Sequence, residues 1–214
     1  LLQALVAGPY LQQDGSHCLT MLSLRAIATW SGALAGLMLI LAGGLVSAAL
    51  PIPDPQGGVQ VLPLPMTLQV PALLLTALVG GPRSAMLAAV AYLSLGLFQL
   101  PVFQGGGGVG YLLDPGFGYL VGFIPAAWLT GRLARQSGMD ALLKLLGASL
   151  GGLLVLQLCG LLNLLLGGLA GRWPQGLAQT VVSYSLAPLP GQLLLCCAAA
   201  VLALVLRRGL KLSP

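Results

Sequence analysis

Apolar residues fall along this chain in long unbroken blocks, without the alternation of strands or the narrow stripe of surface helices. A helix that crosses a bilayer needs about 20 mainly apolar residues. Such runs lie near 27–50, 67–81, 84–100, 116–133, 145–169 and 189–207. The pattern predicts six spans. The second is short and has Pro65 and Pro71 around its start, so it is expected to bend or to cross only in part. Between the last two runs, 170–188 is only half apolar.

The polar breaks differ in kind. LPLPMTLQVP (62–71), LPVFQGGGGVGYLLDPG (100–116) and SYSLAPLPGQ (183–192) are long and rich in Gly and Pro, whereas GGPR (80–83) is a bare turn. Cytoplasmic loops collect Lys and Arg. With both termini cytoplasmic, Arg25, Arg83, Arg132, Arg135, Lys144, Arg207, Arg208 and Lys211 all face inside, and Arg172 alone lies outside. Asp54 and Asp114 then fall outside and Asp140 inside. This orientation gathers the three long breaks at the outer face. Irregular backbone at membrane depth survives only where protein buries it or where it lines a cavity, so an outward-facing pocket is expected there.

Composition agrees. Hydrophobic residues make up 57% of the chain and charged residues 6%, with no glutamate, against about a quarter charged in a soluble domain. The expected architecture is an all-α membrane protein, a compact bundle of six transmembrane helices with irregular outer loops, forming one domain over 21–214. Residues 1–20 do not resemble the rest and lack the pattern of a signal peptide. They read as a mis-called start ahead of Met21 or a disordered tail, so His17, the only histidine, is set aside. The net charge of +5 is dispersed and makes no nucleic-acid surface. Cys18, Cys159, Cys196 and Cys197 lack metal-ligand spacing, and three of them sit in apolar runs as small hydrophobes.

Catalytic chemistry finds no footing. There is no phosphate-loop GxxxxGK[ST] and no HExxH, and Asp114 has no second carboxylate beside it apart from loop residue Asp54. Neither a cofactor nor a metal is expected, and active transport would need a separate ATPase. What the spans carry instead is sparse neutral polarity: Gln69, Tyr92, Gln157, Asn163 and Gln192. Side-chain amides both donate and accept, which suits a small uncharged or weakly charged solute. Gln157 and Asn163 read either as interhelical hydrogen-bond partners or as pocket groups. Gln69 and Gln192, beside prolines at the outer edge, read as pocket groups. Ala28, Gly32 and Gly36 form a small-residue stripe on the first helix, for internal packing or for docking another membrane subunit.

Residues 62–110 resemble the core of the BioY family, the biotin-binding S components of energy-coupling factor (ECF) transporters. The elements are Pro65-Met66-Thr67-Leu68-Gln69, Gly80 with Pro82-Arg83, Tyr92-Leu-Ser-Leu-Gly96, Leu-Pro-Val-Phe at 100–103 leading into the glycines, and Gly118-Tyr119-Leu-Val-Gly122-Phe123. The resemblance implies capture of biotin from outside at the cell membrane. It also implies delivery through a transmembrane coupling subunit and two ATPases, with Ala28, Gly32 and Gly36 meeting the coupling subunit. Gln69, Tyr92, Phe103, Gln104, Gly107, Gly110, Tyr111, Asp114, Tyr119, Asn163 and Gln192 are the expected ligand residues.

Two departures stand out. A family Gly-Pro-Thr-Gly-Gly-Tyr element reads Asp114-Pro115-Gly116-Phe117-Gly118-Tyr119, and the usual acid and lysine near the last span are Gln192 and Leu195. Backbone amides of the glycine loop, Asp114 or Arg172 are candidates to compensate. A different vitamin, a biotin precursor, or a scaffold role without solute are the competing readings.

Overall fold

In a computed structural model, the described residues are 2–53, 59–98, 100–103, 106–136 and 141–210, with side chains described outside 2–22, 50–53 and 59–65. Gln104, Asp54 and Asp140 lie outside the described residues. The order is α1 (Leu2–Leu45), β1 (Ser47–Pro53), β2 (Val59–Thr67), α2 (Gln69–Leu97), a 3-10 turn (Val109–Leu113), α3 (Phe117–Leu133), α4 (Leu142–Leu169), α5 (Leu177–Val181), a π-helical turn (Val182–Leu186) and α6 (Leu189–Gly209).

The chain is mostly helical, but it departs from the all-α expectation at the first long break. There β1 and β2 pair as an antiparallel hairpin, with Leu50 opposite Leu62 and Pro53 opposite Val59. The density of proline reads as irregular loop in the sequence. In a two-stranded ribbon each strand has an outer edge, where the missing N–H of a proline breaks no ladder bond. The apolar run at 27–50 accordingly divides, α1 ending at Leu45 and β1 taking over at Ser47.

Among the described residues, four stretches are long and apolar enough to cross a membrane: Ser23–Leu45, Gln69–Leu97, Leu142–Leu169 and Leu177–Gly209. α3, with 17 residues, is about 25 Å long at 1.5 Å per residue. α2 is not straight. Gly81 has φ 81° and ψ −179°, outside any helical geometry, immediately before Pro82. A side-chain carbon placed on Gly36 of α1 would lie 2.2 Å from Thr76 and 3.2 Å from Ala88. Twelve residues of straight helix cover about 18 Å, so one glycine touches both only because the chain folds back at Gly81. The GGPR turn is this fold-back.

α1 packs on α2, α2 on α3 and α3 on α4, and α6 closes the bundle against α2 and α4. Tyr92, Phe123, Ile40, Leu73 and Leu74 are fully buried at its centre. The fold-back end is tied by arginines: Arg135 Nη2 donates to the Gly80 carbonyl at 3.1 Å and the buried Arg207 Nη2 to that of Ala134 at 2.9 Å. Gly131 sits against the backbone of Gly81 and Pro82, leaving no room for a Cβ. The starts of α2, α3 and α6 and the far end of α4 meet at the other end, and there the bundle opens.

Candidate functional site

A cavity of about 290 Å³ occupies that open end. Its apolar floor comes from Val70, Leu120, Phe123 and Leu156, and Met66 and Thr67 at the end of β2 form one wall. Five of the sequence-predicted ligand residues line it: Gln69, Tyr111, Asp114, Tyr119 and Gln192.

The amides are its most constrained part. Gln157 of α4 donates through Nε2 to Gln192 Oε1 of α6 at 2.7 Å. Ser185 Oγ donates to Gln157 Oε1 at 3.3 Å, and the Tyr119 hydroxyl meets Ser185 Oγ in turn. The serine's single proton is used on Gln157, so Tyr119 donates, and the chain runs Tyr119, Ser185, Gln157, Gln192. In this sense Gln192 Oε1 is occupied and its amide N–H groups remain for a ligand. If both amides turn over together, the chain runs in reverse and Gln192 offers an acceptor instead. Gln69 is 6% exposed, and its Nε2 has no hydrogen-bond partner of normal geometry, although it lies beside the Tyr92 hydroxyl. A buried donor left open on a cavity wall fits an acceptor from a ligand.

Tyr92 and Phe103 lie one layer below the cavity. Phe123, Tyr92, Phe103 and Tyr111 form a continuous run of rings from the core to the rim, with centroids 6.2, 5.4 and 4.8 Å apart. The Tyr92 hydroxyl donates to the Val102 carbonyl at 2.9 Å, which fastens the loop to α2. Burial, and after it the nearby charge of Asp114, push the Tyr111 phenol above its usual range, so it stays neutral.

The glycine-rich segment is a folded loop. Phe103 and Gly106 exchange backbone hydrogen bonds at 3.0 and 3.1 Å, and Gly108 N–H donates to the Gly96 carbonyl at 2.7 Å. Gly107 abuts the Leu100 carbonyl and Gly110 is exposed with open space around it; neither lines the cavity. Asn163 donates to the Pro115 carbonyl at 3.2 Å and backs Gly118, so it holds the loop rather than facing the cavity. Asp114 accepts the Gly116 N–H through Oδ1 at 2.7 Å. Arg172 is exposed after α4 and does not line the cavity.

Gln157, an interhelical partner or a pocket group by sequence, reaches the site indirectly, through Gln192. Ser185, Ser183 and Tyr184 join the site without having stood out in the sequence; their one signal was their place in the outer segment SYSLAPLPGQ. On α1, Gly32 faces Ser84, and Gly36 is buried against Thr76 and Ala88, so both serve packing within the chain, while Ala28 is exposed.

A family model described as the BioY family matches residues 16–212. The chain is 32% identical over 161 residues to the biotin transporter BioY of Rhizobium etli, covering 72% of this chain and 83% of that one. To the biotin transporter BioY of Rhodobacter capsulatus it is 35% identical over 126 residues, 56% and 66% of the two chains. The probable biotin transporter BioY of Lysinibacillus sphaericus is 36% identical over 96 residues, 44% of this chain and 49% of that protein, so about half the length of this relative is matched. Among solved structures, the S-component for biotin from an ECF-type ABC transporter superposes with a TM-score of 0.58 at 21% identity, over 90% of this chain and 93% of that chain. The fold is shared.

Proposed function

The chain belongs to the BioY family, and from that premise we propose that it captures biotin and delivers it across the cytoplasmic membrane as the S component of an ECF-type transporter. It is a multi-pass membrane protein of a transporter family, not an enzyme. The observation that carries the reading is the amide chain that reaches the cavity at Gln192, together with the open Gln69 donor. Biotin's ureido group offers two N–H donors and one carbonyl. Gln69 Nε2 supplies a donor for that carbonyl. Gln192, with its amide turned over, or the Asp114 carboxylate supplies an acceptor for the N–H groups. The floor of Val70, Leu120, Phe123 and Leu156 suits the thiophane ring and the methylene chain.

Six crossings with both termini cytoplasmic follow if the two limbs of α2 on either side of Gly81 and α3 each cross. The limbs are short, and they pack against α1, α3 and α6. Arg83, Arg135 and Arg207 gather at the fold-back end, opposite the cavity, which supports a cytoplasmic fold-back and an outward cavity. α1 is the least buried of the four long apolar stretches, and its exposed side carries Ala28 with Leu24, Ile27 and Leu34. This face is the proposed dock for a transmembrane coupling subunit, with two ATPases supplying the energy. Uptake of labelled biotin by cells lacking their own biotin transporter tests the role. Accumulation that requires this chain supports it; uptake no higher than in cells with an empty vector sinks it.

A further inference from the structure

Among the described residues lining the cavity, Asp114 is the only one with a formal charge, and no Lys or Arg is present. The remaining polar groups there are hydroxyls and amides. The described cations are elsewhere. Arg135 and Arg207 are spent on backbone carbonyls at the far end, and Arg172 is exposed away from the lining. Among the described residues, the site therefore carries an acid without a base.

Resting on the biotin reading above, we propose that this site favours biotin whose carboxyl is capped as a neutral amide over free biotin, and that Asp114 sets the preference. Free biotin brings a carboxylate at the end of its valerate chain. Asp114 lines the same cavity of about 290 Å³ that would hold the ligand, so the two like charges repel across a short distance. An anion taken from water with no counter-charge is penalised, and a nearby fixed anion adds to the penalty. An amide keeps the ureido bicycle and the apolar chain, removes the charge and adds an N–H donor that Asp114 can accept. The repulsion is strongest where Asp114 lies near the tail, because it falls with the distance between the two charges.

The test is competition binding of biotin and biotin methylamide to the purified full chain in detergent, native and Asp114→Asn. Asparagine retains an oxygen for the Gly116 N–H, and thermal unfolding checks that the variant is folded. The amide is expected to bind about tenfold more tightly than the acid to the native chain, and the ratio to fall below about threefold in Asp114→Asn. Free biotin binding as tightly as the amide, or a ratio untouched by the substitution, overturns this inference alone. Binding of neither ligand to the folded native chain removes the biotin reading and this inference with it.

Discussion

Gln157, behind the cavity wall, meets Gln192, on it, across 2.7 Å, joining α4 to α6 through one side-chain hydrogen bond. Both are 8% exposed, so neither amide has ready access to water, and each satisfies the other. The pair acts as a single polar element that continues through Ser185, behind the wall, to the hydroxyl of Tyr119, which lines the cavity again. A ligand that hydrogen-bonds Gln192 therefore also feels residues it never touches.

Gln157→Leu leaves Gln192 Oε1 without its donor and frees the Ser185 hydroxyl. An unsatisfied buried polar group costs about 1–3 kcal/mol, so biotin affinity is expected to fall roughly fivefold to a hundredfold. A double-mutant cycle with Gln192→Leu should show strong non-additivity in ligand titrations. Losses that simply add would mean that the two amides do not work as one unit.

Gln192→Asp keeps an acceptor for Gln157 Nε2 and restores the acid usual at this place in the family. Biotin binding is expected to be retained or strengthened, because a charged acceptor makes the stronger hydrogen bond to a ureido N–H. A folded Gln192→Asp chain that has lost biotin argues against Gln192 as the ureido partner.

Gly96 leaves room for the Phe103 ring: a Cβ there would sit 2.1 Å from the ring's Cζ. Phe103 is buried between Tyr92 and Tyr111 and cannot easily swing away. Gly96→Val is expected to cost about 1–3 kcal/mol through overpacking, lowering the thermal midpoint and weakening ligand binding together, since the displaced loop carries Tyr111 and Asp114. An unchanged midpoint would show that the loop accommodates the added bulk.

Gly81→Ala should separate the two properties. The backbone at φ 81° and ψ −179° is a conformation confined in practice to glycine and costs another residue roughly 1–3 kcal/mol, and the new methyl meets the Arg135 guanidinium. The fold-back lies at the far end from the cavity, so the thermal midpoint is expected to fall while the biotin Kd stays within about twofold. A large change in Kd would indicate coupling between the fold-back and the cavity.

The legible part of this molecule was what the bilayer dictates. Apolar block lengths marked the helices, and Gly80-Gly81-Pro82-Arg83 marked the fold-back, because a left-handed glycine before a proline can hardly continue a helix. Pro51, Pro53, Pro63 and Pro65 concealed the hairpin, since proline is depleted from strands in general and tolerated only at edges that pairing defines. For the site, single polar residues in apolar runs pointed to Gln69 and Gln192. Ser185 was hidden because a serine in an outer segment is unremarkable until the fold places it between Tyr119 and Gln157. The same limit applied to Tyr92 and Asn163: their polarity was visible, but whether they faced the cavity or fastened its loop depended on helix rotation.

The central claim is that this cavity holds biotin. Equilibrium titration of the purified, detergent-solubilised chain with tritiated biotin tests it directly. The account predicts saturable binding near one ligand per chain with a Kd below about 1 μM, competed by unlabelled biotin and weakened by Gln157→Leu. A chain that unfolds cooperatively on heating, yet shows no saturable biotin binding, would contradict it.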